Sequence, residues 1–228
     1  SLSKKSMLFT ALIGTTMFFG SCKNDIDYTT PGITVLSVVN AYPANDALNF
    51  YIGGQQVNNT GVAVGQGLGY FQAYEGARTM DISLAGSQTS LFNKSINLKG
   101  GIYQTLYIVG SSATTLDYLV LEDDVSAPAS TKAKIRFINL SPDAPALSLE
   151  LVGDTTAFAD RAFKTNTPFK QVNAVKSNFV LKNKETSAVV AKLDTVTLEA
   201  GKIYSIWAKG LAASTTEPTK LSLKVTKH

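Results

Sequence analysis

One unit is written twice in this sequence, and that repeat limits the fold more than any other feature. Val38-Val39-Asn40-Ala41-Tyr42-Pro43, followed by Ala47-Leu48-Asn49-Phe50, returns as Phe137-Ile138-Asn139-Leu140-Ser141-Pro142 and Ala146-Leu147-Ser148-Leu149, an offset of 99 positions. Downstream, Asn97-Leu98-Lys99-Gly100-Gly101 with Thr105-Leu106-Tyr107 and Gly110 returns at an offset of 100 as Thr197-Leu198-Glu199-Ala200-Gly201 with Ser205-Ile206-Trp207 and Gly210. Two matched ends at nearly one offset predict two homologous domains, residues 33–124 and 133–228. The stretch 125–132, with small residues and Pro128, reads as the linker between them.

Each copy alternates as half-buried strands do. Met80, Ile82 and Leu84 alternate with Thr79, Asp81 and Ser83, while Leu221, Leu223 and Val225 alternate with Ser222, Lys224 and Thr226. A period of two puts one face in a core and the other in water. The runs 33–39, 102–109, 134–138 and 203–208 are rich in the β-branched and aromatic residues that strands favour. Turn signals such as Gly53-Gly54, Asn58-Asn59, Gly86-Ser87 and Gly100-Gly101 separate them. The expected fold is all-β, two tandem β-sandwiches of immunoglobulin-like or transthyretin-like kind. Tyr107 and Trp207 hold equivalent repeat positions, so each is expected to fill the core of its own copy.

Ile135-Arg136-Phe137-Ile138-Asn139-Leu140-Ser141-Pro142-Asp143-Ala144-Pro145-Ala146-Leu147 resembles the opening motif of the bacterial domain-of-unknown-function family numbered 4397. Leu198-Glu199-Ala200-Gly201-Lys202-Ile203-Tyr204-Ser205 resembles a later strand motif of that family. The resemblance covers the second copy well and the first more loosely. It implies an exported, lipidated protein of tandem sandwiches, and it implies no activity. In the first copy Ala44-Asn45-Asp46 stands where the second has Asp143-Ala144-Pro145, so Asp143 is not implied as a shared ligand.

Residues 1–21 read as an export signal: Lys4 and Lys5, an apolar run from Met7 to Phe19, then Gly20-Ser21 before Cys22, the single cysteine. A transmembrane helix needs about 20 apolar residues, and this run is shorter. The arrangement resembles a bacterial lipoprotein signal, in which the Cys22 thiol is acylated, palmitate included, and becomes the new N-terminus. Residues 22–32 read as a polar, flexible tether. Asp25 and Asp27 within it resemble the surface-export signal of Bacteroidetes lipoproteins. The expected location is the cell envelope, as an outer-membrane lipoprotein exposed at the cell surface, with the membrane a partner through the lipid.

Function classes fall away on composition. Without residues 1–21, which hold Lys4 and Lys5 of the 21 Lys and Arg, 19 basic residues face 17 acidic ones in scattered positions. Nucleic-acid binding needs a concentrated positive face, so no nucleic acid is expected as a partner. The one histidine is the C-terminal His228, which leaves neither a zinc set nor a Ser/His/acid triad. The glycines from Gly61 to Gly69 lack nucleotide-cradle spacing. No enzyme, cofactor or metal is expected. Glu122-Asp123-Asp124 lacks the spacing of a calcium loop and reads as a solvated strand end, with a weak interdomain cation site as the alternative. Asn139, Ser141 and Asp143 around Pro142 read as an Asx-type turn.

The remaining candidates for ligand contact are Tyr70, Phe71 and Tyr74, which follow the glycine-rich stretch; burial in a core is their alternative. Asp154-Thr155-Thr156 and Asp194-Thr195-Val196 resemble the O-glycosylation site of exported Bacteroidetes proteins, which gives Thr155 and Thr195 as acceptors. The expected function is a non-catalytic surface interaction module for a glycan or protein. The alternative is a structural spacer or envelope-assembly component without a ligand of its own.

Overall fold

The computed structural model describes residues 30–228. The signal segment 1–21, Cys22, Asp25, Asp27 and most of the tether lie outside the described residues. Residues 31–228 form one compact unit. Among the described residues, no helix is long and apolar enough to cross a membrane.

The first half holds β1 (Ile33–Asn40), β2 (Leu48–Ile52), β3 (Gln55–Gln56), β4 (Phe71–Tyr74), β5 (Gly76–Leu84), β6 (Ser90–Leu98), β7 (Tyr103–Val109) and β8 (Asp117–Glu122). They form two sheets, β4-β1-β7-β8 and β3-β2-β5-β6. The second half holds β9 (Lys132–Asn139), β10 (Leu147–Leu151), β11 (Ala157–Arg161), β12 (Thr165–Asn166), β13 (Lys170–Asn173), β14 (Lys176–Asn183), β15 (Val189–Thr197), β16 (Ile203–Lys209) and β17 (Ser222–Lys227). Its sheets run β12-β9-β16-β17, with β13 also on β9, and β11-β10-β14-β15. The two halves share even their one parallel pairing: β1 with β7 and β9 with β16. Register matches too, since Val35 faces Tyr103 and Lys134 faces Ile203. The fold is all-β and sandwich-like.

Each sandwich closes on its own apolar core. In the first, Leu36, Val38, Leu106 and Ile108 pack against Leu48, Phe50, Met80, Ile82, Phe92 and Ile96. In the second, Ile135, Phe137, Tyr204 and Ile206 pack against Leu147, Leu149, Phe179 and Leu181. Gly110 and Gly210 end the equivalent strands β7 and β16 with φ of +146° and +91°. A Cβ there would lie 2.9 Å from the Thr115 carbonyl oxygen and 2.0 Å from that of Lys220. Only glycine lets the following loop fold back so closely.

A third apolar cluster joins the halves. Val39, Ala41, Tyr107 and Val109 pack against Ile138, Leu140 and Trp207. The sheets containing the parallel pairs therefore meet face to face, and their central strands β1, β7, β9 and β16 are buried on both sides. This explains the apolar runs Val38–Val39, Leu106–Val109 and Ile206–Ala208, because strands covered on both faces lose the polar half of the alternation; β9 keeps that half, with Lys134 and Arg136 buried. It also corrects one expectation. Tyr107 and Trp207 do not fill the two cores; their rings meet edge-on at 6.1 Å between the sandwiches. Their side chains alternate to the face opposite Leu106 and Ile206, which are the core residues.

Candidate functional site

At one end of this interface the apolar contact gives way to a buried polar ring. β16 presents Ser205, which has no exposed surface, and β9 presents Arg136, which is 1% exposed. The Arg136 Nε–H donates to Ser205 Oγ at 2.8 Å and its Nη1–H to the Glu122 carbonyl at 2.8 Å, while Nη2 pairs with Asp123 Oδ1. Asp123 Oδ2 accepts from Thr105 Oγ1 at 2.6 Å and from the Tyr70 hydroxyl at 2.7 Å. The His228 ring closes the circuit, with Nε2 at 2.6 Å from Ser205 Oγ and Nδ1 at 2.8 Å from Tyr70 Oη. The Tyr70 proton goes to the carboxylate, so the neutral imidazole carries its proton on Nδ1 and accepts from Ser205 at Nε2. Burial and the Asp123 carboxylate push the Tyr70 phenol well above its ordinary value, which keeps it a donor.

His228 is thus packed into the interface. Its side chain is 1% exposed, and its backbone N–H bonds the Ile203 carbonyl at 2.9 Å. The Ser205–His228 contact looks like part of a hydrolase triad, but both side chains are sealed from solvent and the serine oxygen already accepts from Arg136. No substrate reaches it, and the ring holds the halves together.

Burial lowers the His228 imidazole to about 4, with Arg136 acting in the same direction and Asp123 against it. The unfolded imidazole titrates near 6.5, so between pH 6.5 and 4 the unfolded chain binds a proton that the folded chain refuses. Stability is therefore full above pH 6.5 and falls as the pH drops toward 4. From pH 7 to pH 5 this one group should remove about 1–2 kcal/mol. Urea unfolding of the native protein should show that loss, and His228→Gln should flatten most of it. An equal slope in the variant would reject the assignment.

In the acidic run, Glu122 and Asp124 are exposed as at a solvated strand end, and only Asp123 departs from that expectation. Asp123 is buried against Arg136, Asp124 pairs with Lys134 at 2.8 Å, and Glu122 pairs with Lys99 at 3.4 Å. Lys134 and Ser126 hold the Asp124 carboxyl down to about 2. Among the described residues, no group of three His, Cys, Asp or Glu is placed to hold a metal ion. The Asx turn is present in both halves, where Asn40 Oδ1 accepts from Tyr42 N–H and Asn139 Oδ1 from Ser141 N–H, each at 3.0 Å. Asp143 caps a second-half loop through the Ala212 and Ala213 N–H groups at 2.7 and 3.0 Å.

Tyr70, Phe71 and Tyr74 do not form one patch. Tyr70 turns into the polar ring. Strand alternation sends Phe71 and Ala73 to the first core and leaves Gln72 and Tyr74 outside, Tyr74 with 58% of its surface exposed. β4 is an edge strand. After Glu75 the chain turns at Gly76, φ +88°, and enters β5 of the opposite sheet. That turn returns Arg78 to Tyr74: its guanidinium lies 5.8 Å from the ring centre, and its Nε–H donates to the Tyr74 carbonyl at 3.3 Å. Beside them a groove of about 430 Å³ is lined by Gln55, Val57, Gln72, Tyr74 and Arg78, among others. An exposed ring with a guanidinium and two primary amides can bind a hydroxyl-rich ligand by stacking and hydrogen bonding.

Thr155 and Thr195 are both exposed. Thr155 sits in the β10–β11 turn beside Asp154, whose carboxylate accepts from Thr156 N–H at 2.7 Å. Thr195 lies in β15 with φ +63°.

The fold is an all-β pair of sandwiches with an open groove beside the edge strand β4. Residues 34–150, more than half of the 228-residue chain, match the family described as "Domain of unknown function (DUF4397)", and the chain belongs to that family. The match runs through the whole first half and ends in β10, whereas the motifs had pointed more firmly to the second. No curated protein matches the chain. Among solved structures it is similar to the family-26 carbohydrate-binding module of Eubacterium rectale Amy13K in complex with maltoheptaose. That likeness has 12% identity and a TM-score of 0.27, over 86% of this chain and 96% of the other. It is also similar to a streptococcal virulence factor described for α-glucan binding, at 12% identity and a TM-score of 0.25, over 78% and 92%. Scores this low carry no inference about the site.

Proposed function

We propose that this protein is a lipid-anchored component of the cell envelope, held through Cys22, that binds a glycan non-catalytically in the groove at the β4 edge. The observation that carries the glycan reading is Tyr74, a large ring exposed on an edge strand beside Arg78, Gln55 and Gln72. Tyrosine and arginine are enriched where binding energy concentrates, and here they stand side by side at an open groove. Asp25 and Asp27 support exposure at the outer face.

Staining of intact cells separates the parts of this proposal. Cells of the native host are exposed to fluorescein-labelled neutral polysaccharides. The native protein should stain them, and Tyr74→Ala should lower staining more than tenfold while leaving palmitate labelling intact. Cys22→Ala should abolish both palmitate labelling and staining. Palmitate labelling that survives Cys22→Ala rejects the anchor, and staining that survives Tyr74→Ala rejects the groove.

One observation favours the spacer reading. Tyr70 is withdrawn into a ring that fastens the two halves into a single body, as a rigid arm needs. A protein that stains with no polysaccharide would bear that reading out.

A further inference from the structure

We propose a second glycan contact on the outer face of the β3-β2-β5-β6 sheet, taking one neutral sugar unit; it rests on the glycan reading of the edge groove. Register places Tyr51, Asp81 and Asn93 side by side across β2, β5 and β6. They face away from Phe50, Ile82 and Phe92, which fill the core. A hollow of about 300 Å³ lies over them, bordered by Gly54 of the β2–β3 turn and Gln88 of the β5–β6 turn.

Asp81 is held in place. Its Oδ2 accepts from Ser90 Oγ at 2.9 Å and from Asn93 Nδ2 at 2.7 Å, and no described residue donates to Oδ1. At the floor of the hollow, Ser83 is 3% exposed, yet its Oγ has no hydrogen-bond partner among the described residues. A buried hydroxyl without a partner is destabilising in itself, and here it belongs to a residue lining the hollow. A sugar hydroxyl donating to Asp81 and pairing with Ser83 would satisfy both, while the Tyr51 ring offers its apolar body to the sugar's C–H face. The carboxylate repels uronic and other anionic sugars. Gly53 borders the edge groove and Gly54 borders this hollow, so one oligosaccharide can pass across the β2–β3 turn and use both.

The test is amide chemical-shift mapping on the ¹⁵N-labelled full chain with maltoheptaose, xylohexaose, mannohexaose and hexagalacturonate. We expect one neutral oligosaccharide to shift Tyr51, Asp81, Ser83 and Asn93 together with Gln72 to Arg78. Asp81→Asn should weaken that binding about tenfold and Ser83→Ala about threefold, with the Tm of Ser83→Ala unchanged or raised. Shifts confined to Gln72–Arg78, with Asp81→Asn binding normally, overturn this inference and leave the groove standing. Shifts confined to the sheet face overturn the groove instead. Binding of hexagalacturonate at the face, or no shift with any of the four, overturns the inference.

Discussion

Replacing Asp123 with Ala should lower the free energy of unfolding by about 3–5 kcal/mol, the largest loss expected from any single polar change in this chain. The substitution leaves the Arg136 charge 1% exposed with no counter-charge, and it strips the Thr105 and Tyr70 hydroxyls of their acceptor. A buried ion pair adds little compared with an apolar pair of the same shape, but half of one is costly. The double replacement Asp123→Leu with Arg136→Met should therefore recover most of the loss. Urea unfolding of the single and double variants at pH 7 decides the matter. A single variant within about 1 kcal/mol of the native protein would mean that the ring does not fasten the halves.

Trp207→Ala should cost a similar amount, about 3–5 kcal/mol, for a different reason. Trp207 is 1% exposed and packs across the interface against Tyr107, with its Nε1–H donating to Thr226 Oγ1 at 3.0 Å. Its loss opens a cavity between the sandwiches rather than inside one. The second core stays intact, so thermal unfolding of Trp207→Ala should broaden or divide as the halves uncouple, whereas the native protein should melt in one step. A lowered but still single, sharp transition would place the tryptophan's contribution inside its own sandwich.

Much of this architecture is legible in the sequence because a period of two and paired turn signals survive duplication. The 99-residue offset finds β1 in β9, and the 100-residue offset finds β7 in β16. The face-to-face contact is not legible there, because apolar runs in strands look alike whether the second face meets a partner or is merely apolar. The polar ring hides for a geometric reason. Asp123 follows β8 as His228 follows β17, but the β16–β17 connection is longer than the β7–β8 one, so no single offset aligns them. The same comparison would have paired Tyr70 with Phe169, whose ring lies 4.6 Å from the Arg136 guanidinium. In the groove, Tyr74 was legible as an aromatic after a glycine-rich loop. Arg78, Gln55 and Gln72 were not, because only the turn at Gly76 and the β2–β3 hairpin bring them to its side.

Isothermal titration calorimetry of the purified protein and its Tyr74→Ala variant with soluble neutral polysaccharides tests most directly whether the β4 edge groove binds glycans. We expect a saturable heat for the native protein and its loss in the variant, at an unchanged Tm. A variant that binds as tightly as the native protein, or a native protein that gives no heat with any polysaccharide, would contradict the groove as a glycan site.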